Sequence, residues 1–171
     1  MIELKLIRAD ETAELTVTLP VPDDEAARLS CDFTVANIET KLYIWNDIKT
    51  SITLLNRYAR LVDELDENEI KIFAALYEYL GDYLDAEEVY KSNSYHCIYD
   101  VYDEYDLGRA AVDEELFYIC KNCEHIRNYI DYEKLGHDLS YDYFISRHGV
   151  AVCLYWLKTT TARRSFVYFF F

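Results

Sequence analysis

Apolar and polar residues alternate along the first part of the chain. The alternation holds over residues 2–8 and again over residues 14–19, and it predicts two β-strands joined as a hairpin. The segment that follows Pro22 opens with acidic residues, as the first turn of a helix often does, and residues 33–38 can return as a third strand. Residues 1–50 therefore predict a small α+β domain.

Apolar residues then recur with helical spacing, and polar capping residues divide them into helices. Three capping signatures are present: Thr50 or Ser51 for a first helix, the capping box of Asp66 and Glu69 for a second, and the capping box of Asp85 and Glu88 for a third. Gly81 is expected to end the second helix. Residues 51–93 therefore predict a helical middle domain.

Strands and helices alternate again over residues 94–171. The expected elements are a strand at 95–103, a helix at 103–116, two short helices of which the second starts at Asp131, and a hairpin that joins 141–146 to 150–156. These elements predict a second α+β domain with a short antiparallel sheet. Its end, residues 157–171, contains no acid and finishes with six apolar residues, so we expect either a core strand or a partner-binding strand.

The charge of the chain is concentrated in its middle and later part. Residues 61–150 contain 22 Asp and Glu but 7 Lys and Arg, within a chain whose net charge is −15. Hydrophobic residues make up 51% and aromatic residues 16%, which excludes a disordered acidic tail. We expect no direct binding to nucleic acid, because Lys and Arg drive that binding, and we expect a basic partner instead.

No membrane or secretory segment is expected, since no run of about 20 apolar residues occurs and the first residues lack an apolar core. The five cysteines are then expected to be reduced thiols in a cytoplasmic protein.

One short motif suggests metal or redox chemistry. Cys120 and Cys123 form a C-x-x-C pair, and His125 follows. A structural zinc site normally needs a second pair of ligands, and the remaining candidates have no paired spacing: His96, Cys97, His137 and His148. The chain also lacks the common catalytic motifs and any glycine-rich phosphate loop. We therefore expect no metal, no cofactor and no enzymatic activity.

The spacing of the acids is more informative. Pairs such as Asp63 and Glu67, or Asp138 and Asp142, stand four residues apart, which places both carboxylates on one face of a helix. Rows of carboxylates can imitate the closely spaced phosphates of DNA. A solvated acidic surface without a specific partner is the alternative interpretation.

Short motifs between residues 51 and 153 carry a family resemblance. They are Leu55-Asn56 with Ala59, Leu61-Val62 and Glu64-Leu65; Ala75-Leu76; Tyr99-Asp100-Val101 with Asp106 to Arg109; Asn128 to Glu133 with Gly136 and Asp138-Leu139; and His148-Gly149. Together they resemble the ArdA-type antirestriction proteins. The run from Asn128 to Leu139 is the most specific, although His137 stands where that family usually has Arg.

The resemblance implies a non-catalytic mimic of bent double-stranded DNA. ArdA-type proteins are elongated chains of three small domains that pair as homodimers. They occupy the DNA-binding groove of type I restriction–modification enzymes and block restriction. Conjugative plasmids, conjugative transposons, phages and other mobile genetic elements carry them, and they act in the host cytoplasm.

The resemblance also suggests which side chains bind the enzyme. The carboxylates expected to be exposed and to imitate phosphates are Glu64, Asp66, Glu67, Glu78, Asp82, Asp85, Glu87, Glu88, Asp103, Glu104, Asp106, Asp113, Glu114, Glu115, Asp131 and Asp138. Four tyrosines are instead expected in the core or the dimer seam: Tyr77, Tyr99, Tyr129 and Tyr132.

Two other functions stay open. The first is an acidic adaptor or regulator of a mobile element that binds a different basic protein. The second is a small metal-dependent enzyme that uses Cys120, Cys123 and His125.

Overall fold

The computed structural model describes residues 2–8, 10, 12–40, 42, 48–114 and 124–155. The expected α+β class is confirmed, with α-helices and two small antiparallel sheets. The chain divides into two compact units, Met1–Ile70 and Lys71–Phe171. The division into three domains, 1–50, 51–93 and 94–171, remains a prediction.

The first unit contains three strands and two helices, followed by the start of a third helix. In chain order these are β1 (Ile2–Arg8), β2 (Glu14–Leu19), α1 (Asp23–Asp32), β3 (Phe33–Glu39), α2 (Ile52–Glu64) and α3 (Glu67–Leu80), of which α3 continues past Ile70. The strands form an antiparallel sheet in the order β2-β1-β3. The apolar face of β1 is fully buried, as the alternation predicted.

A buried asparagine ties α2 to the chain that precedes α1. Asn56 is 1% exposed, and its Oδ1 accepts a hydrogen bond of 2.8 Å from the Val21 N–H while its Nδ2 donates one of 3.0 Å to the Val21 carbonyl. Arg60 supports the same junction, because its guanidinium donates to that carbonyl and pairs with Asp23 at 2.9 Å. A buried amide must satisfy both its donor and its acceptor, which this reciprocal pair does.

The second unit is built on the later part of α3. Its remaining elements are α4 (Tyr83–Ser92), β4 (Tyr95–Tyr99), α5 (Glu104–Asp113), a 3₁₀ helix (Glu124–Tyr129), α6 (Tyr132–Leu139), β5 (Phe144–Ile145) and β6 (Val150–Leu154). The sheet order is β4-β6-β5, and both pairings are antiparallel.

Both faces of this sheet are covered. One face forms a core in which Ile98 and Ala151 pack with Leu107 of α5 and with Tyr143. On the other face, α3 and α4 lie against the sheet through stacked rings: Tyr79 with Phe144, and Tyr90 with Tyr95.

Two glycines allow α5 and α6 to cross with their backbones in contact. A Cβ atom at Gly108 would meet the carbonyl oxygen of Tyr132 and would lie 2.9 Å from the Gly136 nitrogen. A Cβ atom at Gly136 would meet the Glu104 carbonyl and would lie 3.0 Å from the Gly108 nitrogen. Backbone atoms cannot move aside as a flexible side chain can, so neither position has room for a side chain.

The strands expected at 2–8 and 14–19 are confirmed, as is the Asp66–Glu69 capping box, whose two reciprocal bonds both measure 2.9 Å. The strand expected at 141–146 is too long, because β5 covers only Phe144–Ile145. The capping box of Asp85 and Glu88 is wrong, because α4 starts earlier. Asp82 is the cap and accepts hydrogen bonds from the N–H groups of Leu84 and Asp85.

The expected strand at 95–103 is too long. It ends at Tyr99, since Asp100 has a φ of 57° and turns the chain out of the sheet. The expected helix at 103–116 is too long, because Asp103 is its N-cap and α5 ends at Asp113, with Glu114 as its C-cap. The segment 157–171, for which we expected a core or partner-binding strand, lies outside the described residues.

Replacing Gly136 with Ala tests the helix crossing. On an exposed helix, Gly→Ala stabilises by about 1 kcal/mol. Here we expect the variant to lose about 1–3 kcal/mol of unfolding free energy, because the added methyl group meets backbone atoms. Urea unfolding of Gly108→Ala and Gly136→Ala measures this loss. A stabilised Gly136→Ala variant would contradict the crossing.

Candidate functional site

Fifteen of the sixteen expected carboxylates lie among the described residues, and Glu115 lies outside them. Eleven are exposed: Glu64, Asp66, Glu67, Asp82, Asp85, Glu88, Asp103, Asp113, Glu114, Asp131 and Asp138. Glu78, Glu104 and Asp106 are partly buried. The expectation of exposure is wrong for Glu87, which is 2% exposed.

Four of the exposed carboxylates cap helices. Asp66, Asp82, Asp103 and Asp131 each accept hydrogen bonds from N–H groups in the first turn of α3, α4, α5 and α6 respectively, at 2.8–3.1 Å. All of these bonds use Oδ1, which leaves the second oxygen of each carboxylate available to a partner. The helix dipole also favours a negative charge at this position. The fold thus holds four charges in fixed directions.

Other carboxylates already contact side chains of the same chain. Glu78 lies 3.3 Å from the Arg147 Nε, and Asp113 lies 2.7 Å from an Arg127 Nη. Glu104 accepts from the Ser140 hydroxyl at 3.2 Å, and both of its oxygens lie 3.1 Å from the His137 Nδ1. The two arginines offset the charges of Glu78 and Asp113, and hydrogen-bonding side chains occupy Glu104, so the three carboxylates are weaker candidates for contacting a basic partner.

Glu87 is buried because it lies on the inner face of α4. Its Oε1 pairs with the Lys91 Nζ at 2.6 Å, one helical turn later. The next residue, Glu88, is exposed, since consecutive helical residues point about 100° apart. The sequence alone does not distinguish the two glutamates, but the packing of α4 against the rest of the unit buries Glu87 and leaves Glu88 exposed.

Besides the four helix caps, five exposed candidates have no ion pair with any other described residue: Glu64, Asp85, Glu88, Glu114 and Asp138. Other acids of the described residues are exposed as well, including Asp63, Glu133 and Asp142. The expectation that Asp63 and Glu67, or Asp138 and Asp142, share one helix face is wrong, because α2 ends at Glu64 before α3 begins at Glu67, and α6 ends at Leu139.

The four tyrosines expected in the core or the dimer seam differ in their burial. Tyr77 is buried, but Tyr99 is 42% exposed and Tyr129 is 88% exposed, so the placement of these two in the core is wrong. Tyr132 is partly buried, and its ring meets that of Tyr105 edge to face. A role in a dimer seam stays a prediction.

The hairpin turn between β5 and β6 approaches the partly buried Glu78. The Nε2 of His148 lies 3.9 Å from a Glu78 oxygen, and Arg147 pairs with the other oxygen. Burial lowers the pKa of His148, the Glu78 carboxylate opposes that shift, and the positive charge of Arg147 adds to it.

Within the described part of the chain, no group of three or more His, Cys, Asp or Glu side chains is arranged to hold a metal ion. Cys120, Cys123 and the side chain of His125 lie outside that part. The described helices also include none that is long and apolar enough to cross a bilayer.

The pair Glu87 and Glu88 offers a matched test of stability. We expect Glu87→Ala to lower the unfolding free energy by about 1–3 kcal/mol, because it removes a buried ion-paired side chain. Glu88→Ala should change it by less than about 0.5 kcal/mol. Chemical denaturation measures both, and equal losses would contradict the burial of Glu87.

His148 predicts a pH dependence of stability. Its pKa is lower in the folded protein than its ordinary value of 6.5, so the unfolded chain takes up the proton first as the pH falls. The stabilisation that His148 contributes is therefore complete above pH 6.5 and is lost as the pH falls from there through the folded pKa.

The His148→Gln variant isolates this effect from that of the many carboxylates. Between about pH 8 and about pH 5.5, the wild type should lose more unfolding free energy than the variant. Urea unfolding at both pH values measures the difference. A larger loss in the variant would reverse the predicted sign.

The chain matches the model of a known protein family. The model of the antirestriction protein (ArdA) family matches residues 25–152, well over half of the 171 residues. No curated protein matches the sequence. The ArdA family is a family of inhibitor proteins rather than enzymes, and its function is antirestriction. The chain belongs to the ArdA antirestriction protein family, because the family model matches it over these residues and its motifs and acidic helices agree with that match.

Proposed function

We propose that this protein imitates double-stranded DNA and inhibits type I restriction–modification enzymes by occupying their DNA-binding groove. One observation carries the proposal: exposed carboxylates are fixed at the starts of four successive helices, in an antirestriction protein of net charge −15. Like the family as a whole, the chain is proposed to act in the cytoplasm as a homodimer without catalytic activity.

The physical basis is the electrostatics of the groove. A DNA-binding groove carries Lys and Arg that contact phosphates spaced at about one charge per 1.7 Å of duplex. Carboxylates with restricted side-chain motion can replace those phosphates. The conformational entropy of these side chains is already lost in the folded protein, so binding loses little more of it. Asp66, Asp82, Asp103 and Asp131 meet this requirement best, since backbone hydrogen bonds restrain each of them.

The exposed acids without a described ion pair complete the proposed contact set. Asp85 and Glu88 lie on α4, Asp138 lies on α6, and Glu114 follows α5. Their charges are not offset by described cations, so each is available to a Lys or Arg of the enzyme. Glu78, Glu104 and Asp113 contribute less in this proposal because side chains of the same chain already contact them.

A competition assay tests the proposal. A type I restriction–modification enzyme is bound to labelled target DNA, and increasing amounts of this protein are added at two salt concentrations. We expect displacement of the DNA at low salt and weaker displacement at high salt, because ion contacts between exposed groups are screened. No displacement from any of several enzymes would favour the adaptor alternative, with a different basic partner.

Two triple variants with the same change in net charge make the assay specific. The first, Asp85→Asn, Glu88→Gln and Asp138→Asn, removes exposed charges with no described ion pair. The second, Glu78→Gln, Glu104→Gln and Asp113→Asn, removes charges that are paired within the chain. We expect the first to weaken inhibition by about tenfold or more and to reduce the slope of log affinity against log salt by about 2–3.

The second triple variant should retain most of the inhibition. Both variants raise the net charge by three, so total charge alone predicts equal losses. Equal losses would show that bulk charge, rather than the position of free carboxylates, determines binding. Melting curves of both variants provide the folding control.

A further inference from the structure

A pocket with aromatic walls lies beside the short strand β5. It has a volume of about 270 Å³ and is lined by Tyr79 of α3 and by residues 140–145. The rings of Tyr79 and Phe144 stack with their centroids 5.2 Å apart. Tyr141, which lines the pocket, is 75% exposed, and Asp142 beside it is also exposed. The pocket therefore offers aromatic surface and a carboxylate to solvent.

The wall formed by residues 140–145 is held in place by backbone hydrogen bonds. The N–H of Ser140 donates to the Gly136 carbonyl at 2.8 Å, and the N–H groups of Asp142 and Tyr143 donate to the Leu139 carbonyl at 2.9 Å and 3.0 Å. Beyond them, β5 pairs with β6. A pocket that is already formed loses little conformational entropy when it binds a ligand.

Two basic side chains near this pocket, His137 and Arg147, already contact carboxylates. His137 meets the Tyr141 ring edge to face, with centroids 5.6 Å apart, but its Nδ1 faces Glu104. Arg147 pairs with Glu78. Asp138 and Asp142 form no ion pair with a described residue. The charge around the pocket is thus complementary to a cation from outside.

Arginine is the side chain that fits this chemistry. Its planar guanidinium stacks on aromatic rings more readily than a lysine ammonium does, and its N–H groups can donate to a neighbouring carboxylate at the same time. DNA-binding grooves present arginines that would otherwise contact phosphates. An exposed aromatic pocket has no counterpart in the phosphates of DNA, so mimicry of charge alone does not account for it.

We propose that this pocket, formed by Tyr79, Tyr141, Asp142 and Phe144, binds an arginine side chain from the basic groove of the restriction enzyme. The proposal rests on the proposed function and adds a contact that DNA itself does not make. Because stacking on a ring responds less to salt than ion pairing between exposed groups does, this contact persists where the carboxylate contacts are screened.

The test uses full-length protein and a type I restriction–modification enzyme, with affinity measured at two salt concentrations. Tyr141→Ala and Tyr141→Leu should weaken binding by about tenfold, because both lack an aromatic ring, whereas Tyr141→Phe should bind like the wild type. All three should keep the salt dependence of the wild type. Tyr155→Ala is the matched control, since Tyr155 is 51% exposed but does not line the pocket.

The outcomes separate this inference from the proposed function. Suppose that Tyr141→Ala binds the enzyme with wild-type affinity while the triple variant of exposed acids binds it more weakly. This result would overturn the proposed arginine contact and leave the proposed DNA mimicry intact. Wild-type affinity in Tyr141→Leu would also overturn the assignment, because an apolar contact would then suffice. If the enzyme does not bind the wild-type protein at all, this result would overturn both the proposed pocket contact and the proposed DNA mimicry.

Two controls exclude other occupants of the pocket. A change of oligomeric mass in Tyr141→Ala, measured by light scattering, would assign the pocket to a second copy of the chain. Faster tryptic cleavage after Arg163 or Arg164 in this variant would assign it to residues 156–171 of the same chain. Either result would overturn the proposal. We expect both measurements to match the wild type.

Discussion

The backbone contact between α5 and α6 is the constraint on which the arrangement of the second unit depends. Gly108 faces the start of α6, and Gly136 faces the start of α5, so the two helices run in opposite directions at van der Waals distance. This approach seats Leu107 of α5 in the core beneath the sheet. It also brings Glu104 to His137 and Ser140. A side chain at either glycine would separate the helices and disturb each of these contacts.

The same unit must tolerate a large excess of negative charge. Like charges on a compact surface repel one another and lower stability. The chain offsets part of this cost by using aspartates where a helix favours them, because an N-cap carboxylate contributes about 0.5–2 kcal/mol. Asp82, Asp103 and Asp131 therefore stabilise the helices as well as carrying charge. Their replacement would alter stability and charge together, and they are poor choices for isolating the role of charge.

Local features of this fold could be predicted from the sequence, whereas features that depend on distant contacts could not. The Asp66–Glu69 capping box is a reciprocal contact between residues three apart, so its spacing is visible in the chain. The start of α4 was misplaced because Asp82 and Asp85 both have an acid three residues later, and local sequence does not choose between them.

The candidate site follows the same division. The exposure of most of the acids follows from composition and helical spacing, but the burial of Glu87 depends on which face of α4 packs inward. The pocket joins Tyr79 to residues 140–145, which lie far away in the sequence, and no short motif marks it. The motif glycines were visible as part of the family resemblance. Their physical role, a helix crossing without side chains, required the structure.

The balance between acids and aromatic rings bears on how such an inhibitor chooses its target. An array of carboxylates attracts any protein with a basic groove, and long-range attraction of this kind increases association rates more than it distinguishes partners. Selectivity requires contacts that a competing partner cannot make. The proposed binding of an arginine in the aromatic pocket beside Asp142 is such a contact, because it favours an arginine at one position rather than positive charge in general. Under the proposed function and the proposed pocket contact, charge brings the enzyme to the protein, and the pocket determines which basic groove is held.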